Sequence, residues 1–201
     1  MKRLELLLVL FVGATLTVHA QDTSSSRSVF LDVVESTGNS KTINHWRDIS
    51  GNYSQTKTSS KDLEVTVRNM SPNLPGEFEV EWYFFGKPAS GSGRFCYDKG
   101  SKKVTIGPSG SEKVPVESKE LSAHTVRDNY WYGYSYTSGD KADGWIIRVK
   151  AGGEVVRVKA SSPLLEEAAA DPAAFEKLTK SGPEKTGKNR RVPNRPGEPP
   201  E

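Results

Sequence analysis

The sequence predicts a mainly β protein, an immunoglobulin-like two-sheet antiparallel sandwich of about eight or nine strands followed by two short C-terminal helices. Three observations carry that expectation. Apolar residues recur with period two in short runs, as they do on half-buried strands. Clusters of Gly, Pro, Asn and Asp close each run after a few residues, which is the punctuation of sandwich loops. Helix-type spacing begins only after Ala160.

The first twenty residues, MKRLELLLVLFVGATLTVHA, combine Lys2 and Arg3 with an apolar run from Leu6 and a small-residue end at Val18-His19-Ala20. They read as a secretory signal peptide over residues 1–20. The run is shorter than the roughly 20 apolar residues a spanning helix needs, so no transmembrane segment is expected after cleavage. Gln21 follows the cut where a bacterial lipoprotein would carry cysteine. The expected location is periplasmic or extracellular.

The first expected strand is Val29 to Glu35, and Ile43 to Thr58 holds at least one more with a weak pattern. In DLEVTVRN, Leu63, Val65 and Val67 alternate with Glu64, Thr66 and Arg68. After a Pro- and Gly-rich break, EFEVEWYFFG places Phe78, Val80, Trp82 and Phe84 on one face and Glu77, Glu79 and Glu81 on the other, where a solvated acidic row is expected. Further strands follow at Arg94 to Tyr97, Lys103 to Ile106 and Glu112 to Glu117, then along the tyrosine-rich NYWYGYSY. GWIIRVK and EVVRVKA, joined through Ala151-Gly152-Gly153, form a hairpin whose Trp145, Ile147 and Val149 are matched by Val156, Val158 and Ala160. Residues 28–160 thus make the sandwich domain.

Residues 161–180 hold the helices. Ser162 with Pro163, and Asp171 with Pro172, are cap-and-first-turn pairs, and Leu165, Phe175 and Leu178 supply the apolar side that docks on the sandwich. Residues 181–201, SGPEKTGKNRRVPNRPGEPPE, lack aromatic residues and are rich in Pro, Gly and cations. Such a segment cannot offset its ordering entropy by burial and is expected to be a disordered tail.

DLEVTVRNMSPNLPGEFEVEWYFFGK, Asp62 to Lys87, resembles the bacterial immunoglobulin-like and fibronectin type III-like modules, in particular the cell-adhesion-related domain found in bacteria. Leu63, Val65, Val67 and Asn69 match the first strand of that pattern, and Phe78, Val80, Trp82 and Gly86 the second. The resemblance implies a sandwich fold and an extracellular recognition or spacer role, and it transfers no catalytic residues.

No enzyme is expected. The chain has no His-Glu-x-x-His metal helix, no Gly-x-Ser-x-Gly nucleophile turn and no paired-cysteine zinc pattern, and neither SGSGRF nor GPSGS has phosphate-loop spacing. His45 and His124 lie far apart in sequence, and the lone Cys96 sits in an aromatic strand context as a small buried residue would. Asp140 and Asp143 in GDKADG read as a turn, since two carboxylates fall short of the six or more oxygen ligands calcium takes. Neither metal nor cofactor is expected. The formal charge is +3, and loss of Lys2, Arg3 and Glu5 with the leader lowers it by one, so nucleic acid is not an expected partner.

One feature points to binding. Tyr130, Tyr132, Tyr134 and Tyr136 fall on alternate positions, so one strand face is aromatic. That row is either a wall of the core or a platform on which sugar rings stack, with Trp131 or Trp46 as an additional ring. The expected role is an exported binding or structural module of the bacterial envelope, its partner an envelope polymer or another envelope protein. The alternative is a carbohydrate-binding protein using the Tyr130–Tyr136 row.

Overall fold

The computed structural model describes residues 29–36, 38–73, 76–89, 91–128 and 134–182, with Tyr134 as backbone only. The expected signal peptide at residues 1–20 and all of the expected 181–201 tail but Ser181 and Gly182 lie outside the described residues. Alternation in β4 (Asp62–Asn69) sets the small sheet: Leu63, Val65 and Val67 point inward at 3% exposure or less. It pairs antiparallel with β1 (Val29–Ser36) and β7 (Ser111–Glu117), giving the order β1-β4-β7.

The larger sheet has seven strands: β2 (Ser40–Arg47), β3 (Tyr53–Ser59), β8 (Leu121–Asp128), β9 (Tyr134–Ala151), β5 (Gly76–Pro88) and β6 (Phe95–Ile106) in that order, with β10 (Glu154–Ala160) also paired to β9. Valines of the small sheet meet Phe78, Val80, Phe84, Val104, Ile106, Trp145, Ile147 and Val149 of the large one in the main core. Both sheets are antiparallel, and two short helices follow them, α1 (Pro163–Ala170) and α2 (Pro172–Lys180). Among the described residues no helix is long and apolar enough to cross a membrane.

Several elements differ from expectation. The runs expected at Arg94–Tyr97 and Lys103–Ile106 join, from Phe95 on, in the single strand β6, because its polar middle is held by pairing with β5. Gly100 sits there because a Cβ would lie 2.5 Å from the Trp82 ring. The weak stretch from Ile43 to Thr58 lies within β2 and β3, and β8 is a strand beyond those the sequence pattern predicts. GDKADG is not a loop: it lies inside β9, which runs on for 18 residues. Two devices let the strand pass through it. Gly139 takes φ +92°, where a side chain would strike the Ser122 carbonyl, and a register shift against Phe85 and Gly86 leaves Asp143 as an extra residue.

A second bulge corrects the terminal hairpin. The register slips between Val155 and Arg157, so Val156 packs in the main core while Val158 and Ala160 turn to the other face, beneath the helices. That outer face is therefore apolar too, and it has its own core of Phe85, Ile146, Leu165 and Phe175. Ser162 and Asp171 cap α1 and α2 by accepting from the Leu165 and Ala173 amides.

The expected solvated acidic row holds for Glu77 but not for Glu81, which is 9% exposed. Its charge is met by Lys150 Nζ at 2.6 Å and Arg148 Nε at 3.8 Å. The Arg148 guanidinium in turn lies 4.3 Å from the Phe175 ring centre, and Tyr83 meets the same ring edge-on at 4.9 Å. Replacing Phe175 by Ala should cost about 3 kcal/mol or more. A thermal melt should show a midpoint lowered by about 6 °C or more, whereas an unchanged midpoint means α2 does not dock in solution.

Candidate functional site

Three strands cannot cover seven. The small sheet and the helices pack over β5, β6, β10 and the C-terminal half of β9, and among the described residues neither core cluster includes a residue of β2, β3 or β8. Those strands and the start of β9 form a four-strand extension that neither core cluster of the described residues covers, and the end of the small sheet borders one of its faces. Strand β2 is exposed at all eight positions.

Register decides what each face displays. Trp46 pairs with Ser54, Ser54 with Val126 and Val126 with Tyr136, so these four share one face in a cross-strand row. Three inter-strand steps separate the two aromatic positions, about 14 Å. The rings are well exposed, Trp46 at 47% and Tyr136 at 37%, with Ile43 at 42% beside them.

The neighbouring row carries polar groups. A bulge at His45 turns its ring toward Thr56, where Nε2 lies 2.8 Å from Oγ1, and His124 Nδ1 lies 3.1 Å from the same oxygen. The two imidazoles stand 5.5 Å apart, and Ser54 Oγ reaches His124 Nε2 at 3.4 Å. One hydroxyl thus links two rings. Sequence separation concealed this pair, since it forms only when β8 aligns on β3. The face offers flat rings, an aliphatic side chain and hydroxyl and imidazole groups that donate and accept, a combination suited to a ligand with apolar faces and hydroxyl edges.

Of the expected aromatic row, Tyr136 lies on this face, 37% exposed and outside both core clusters of the described residues. Tyr134 lies in β9 opposite Asp128, and its side chain falls outside the description. Tyr130, Trp131 and Tyr132 lie outside the described residues. Trp46 is the ring that register adds to Tyr136.

The other sequence candidates are held by the fold. Cys96 is half-buried with Sγ 3.5 Å from the Asp98 carbonyl, and burial pushes its thiol pKa up, away from the thiolate a nucleophile needs. Asp140 and Asp143 part ways. Burial raises the Asp140 pKa. Burial opposes the charge on Asp143 as well, but hydrogen bonds and attraction from Lys87 and Arg94 prevail and hold its carboxyl below the usual carboxylate range. Its oxygens are taken up by Lys87 at 2.6 Å and Arg94 at 2.5 Å. Among the described residues no three His, Cys, Asp or Glu side chains are grouped to hold a metal ion.

No family model matches the chain, and no curated protein matches it. Among solved structures, it is similar to Pseudomonas fluorescens alkylpurine DNA glycosylase AlkC bound to DNA containing an abasic site analog, at 12% identity and TM-score 0.32 over 69% of this chain and 32% of that one. It is also similar to DesR, a beta-glucosidase from Streptomyces venezuelae, at 15% identity and TM-score 0.26 over 65% and 15% of the two chains. A third match is the beta-D-glucoside glucohydrolase from Trichoderma reesei, at 12% identity and TM-score 0.28 over 66% and 19%. The chain spans a third or less of the length of these proteins. At these TM-scores the distant likeness identifies neither a family nor an activity.

The clasp at Asp143 generates a prediction. Because its folded pKa is depressed, its contribution to stability is full above roughly pH 5 and is lost as the pH falls through the folded value. Asp143→Asn should lower the thermal midpoint at pH 7, and the gap between variant and parent should narrow progressively as the pH falls below about 5. A gap that is constant with pH means the clasp contributes no charge-dependent stability.

Proposed function

We propose that this is an exported, non-enzymatic binding module of the bacterial envelope, acting in the periplasm or outside the cell, whose open sheet face takes a neutral glycan chain. The observation that carries the reading is the row joining Trp46 to Tyr136, two exposed rings on one flat face with the Thr56-centred imidazole pair in the neighbouring row. Exposed aromatic rings grouped with satisfied polar groups point to a ligand surface more than to scattered surface residues. The apolar faces of sugar rings stack on such rings, and the hydroxyl edge meets Thr, Ser and His.

Export rests on the leader at residues 1–20. The covered half of the molecule then acts as the scaffold, and its kinship to immunoglobulin-like and fibronectin type III-like modules rests on the alternating residues of β4 and β5.

Strand addition by a protein partner is the competing use of this region, but β2 is guarded against it. Lys41 and Arg47 stand on this edge strand, and the His45 bulge interrupts its ladder. Electrophoresis through gels containing neutral glucans or xylans should retard the protein. Trp46→Ala and Tyr136→Ala should each reduce affinity by roughly five- to thirtyfold, 1 to 2 kcal/mol, with thermal midpoints nearly unchanged. Retardation that survives both substitutions sinks the aromatic-face reading.

A further inference from the structure

The opposite face of the same strands holds a cleft of 540 Å³, where the end of the small sheet meets the open extension. Its size falls within the roughly 300 to 1,000 Å³ of small-molecule sites. Gln55, Thr125 and Thr137 are cross-strand neighbours on its floor, and the two threonine hydroxyls bond each other at 3.1 Å.

Groups in the lining are left over by the fold. Ser60 is only 4% exposed, yet its Oγ has no hydrogen-bond partner. A buried unmet hydroxyl costs about 1 to 3 kcal/mol, which a ligand oxygen can recover. Among the described residues Lys57, Lys141 and Asp140 make no ion pair, while Lys61 and Glu35 neutralise each other at the rim. The unpaired groups therefore carry one excess positive charge.

We infer that this cleft binds a carboxylated sugar of the uronic acid type. Lys57 and Lys141 meet the carboxylate, and Gln55, Ser60 and Asp140 meet ring hydroxyls. Asp140 repels a doubly charged phosphate more than a singly charged acid, and it accepts from a hydroxyl. The site is separate from the aromatic row on the other face, so either can fail without the other.

An NMR titration of the protein with sodium glucuronate, with glucose and with inorganic phosphate separates the alternatives. Glucuronate should shift the Ser60, Ala123 and Thr125 amides saturably, and Lys57→Met should weaken that binding by roughly tenfold, the loss of one charge-assisted hydrogen bond. Ser60→Ala should also weaken it without lowering the thermal midpoint, because no partner of Oγ is lost, and Trp46→Ala should leave it unchanged. Equal titration by glucose or phosphate, shifts centred on Trp46 and Tyr136, or no saturable shift with glucuronate overturns the inference.

Discussion

The backbone ladder of β9 is the constraint on which the rest of the structure depends. One edge of this 18-residue strand pairs with β8 along its first half and with β10 along its second, and the other edge pairs with β5. Its second half is buried between two apolar layers, with Trp145, Ile147 and Val149 toward the small sheet and Ile146 toward the helices. Among the described residues neither core cluster reaches its first half. The covered half supplies the stability, and the open half borrows its order from it through hydrogen bonds that run continuously along one strand.

Inter-sheet polar contacts hold that division at the boundary. Trp145 Nε1 donates to Glu35 Oε2 at 2.8 Å, and Lys61 pairs with the same carboxylate, tying the end of β1 to β9 and to the start of β4. Burial works against the Glu35 charge, but these two donors outweigh it and hold its carboxyl below the usual range. Lys159 meets Asp32 at 2.6 Å, and Arg157 Nε donates to the Val29 carbonyl at 2.8 Å, so β10 is pinned to β1 along the other side. The small sheet is fixed in place, and its end marks where the open face begins.

Legibility in the sequence followed burial. Strands β4 and β5 announce themselves because one face is apolar at every second residue, and the capped Pro turns of α1 and α2 are equally local. SKTINHWR, YSQTKTS and LSAHTVRD have no buried face to create a period, and their pairing is specified by distant partners. The long β9 read as two pieces because Gly139, Asp140, Asp143 and Gly144 are local turn signals, and only pairing with β5 and β8 overrides them. The same limit governs the site. Aromatic content marked Tyr136 and Trp46 as candidates, but only register places them in one row and brings His45 against His124.

Amide hydrogen exchange along β9 tests the central claim, that one strand joins a core-bearing half to an open half used for binding. The account predicts strong protection from Gly144 to Ala151 and weak protection from Tyr136 to Gly139 and throughout β2, with neutral glycan slowing exchange in β2, β3 and β8. Uniform protection along β9 and in β2 of the unliganded protein would contradict it, because the extension would then be covered by a body of its own.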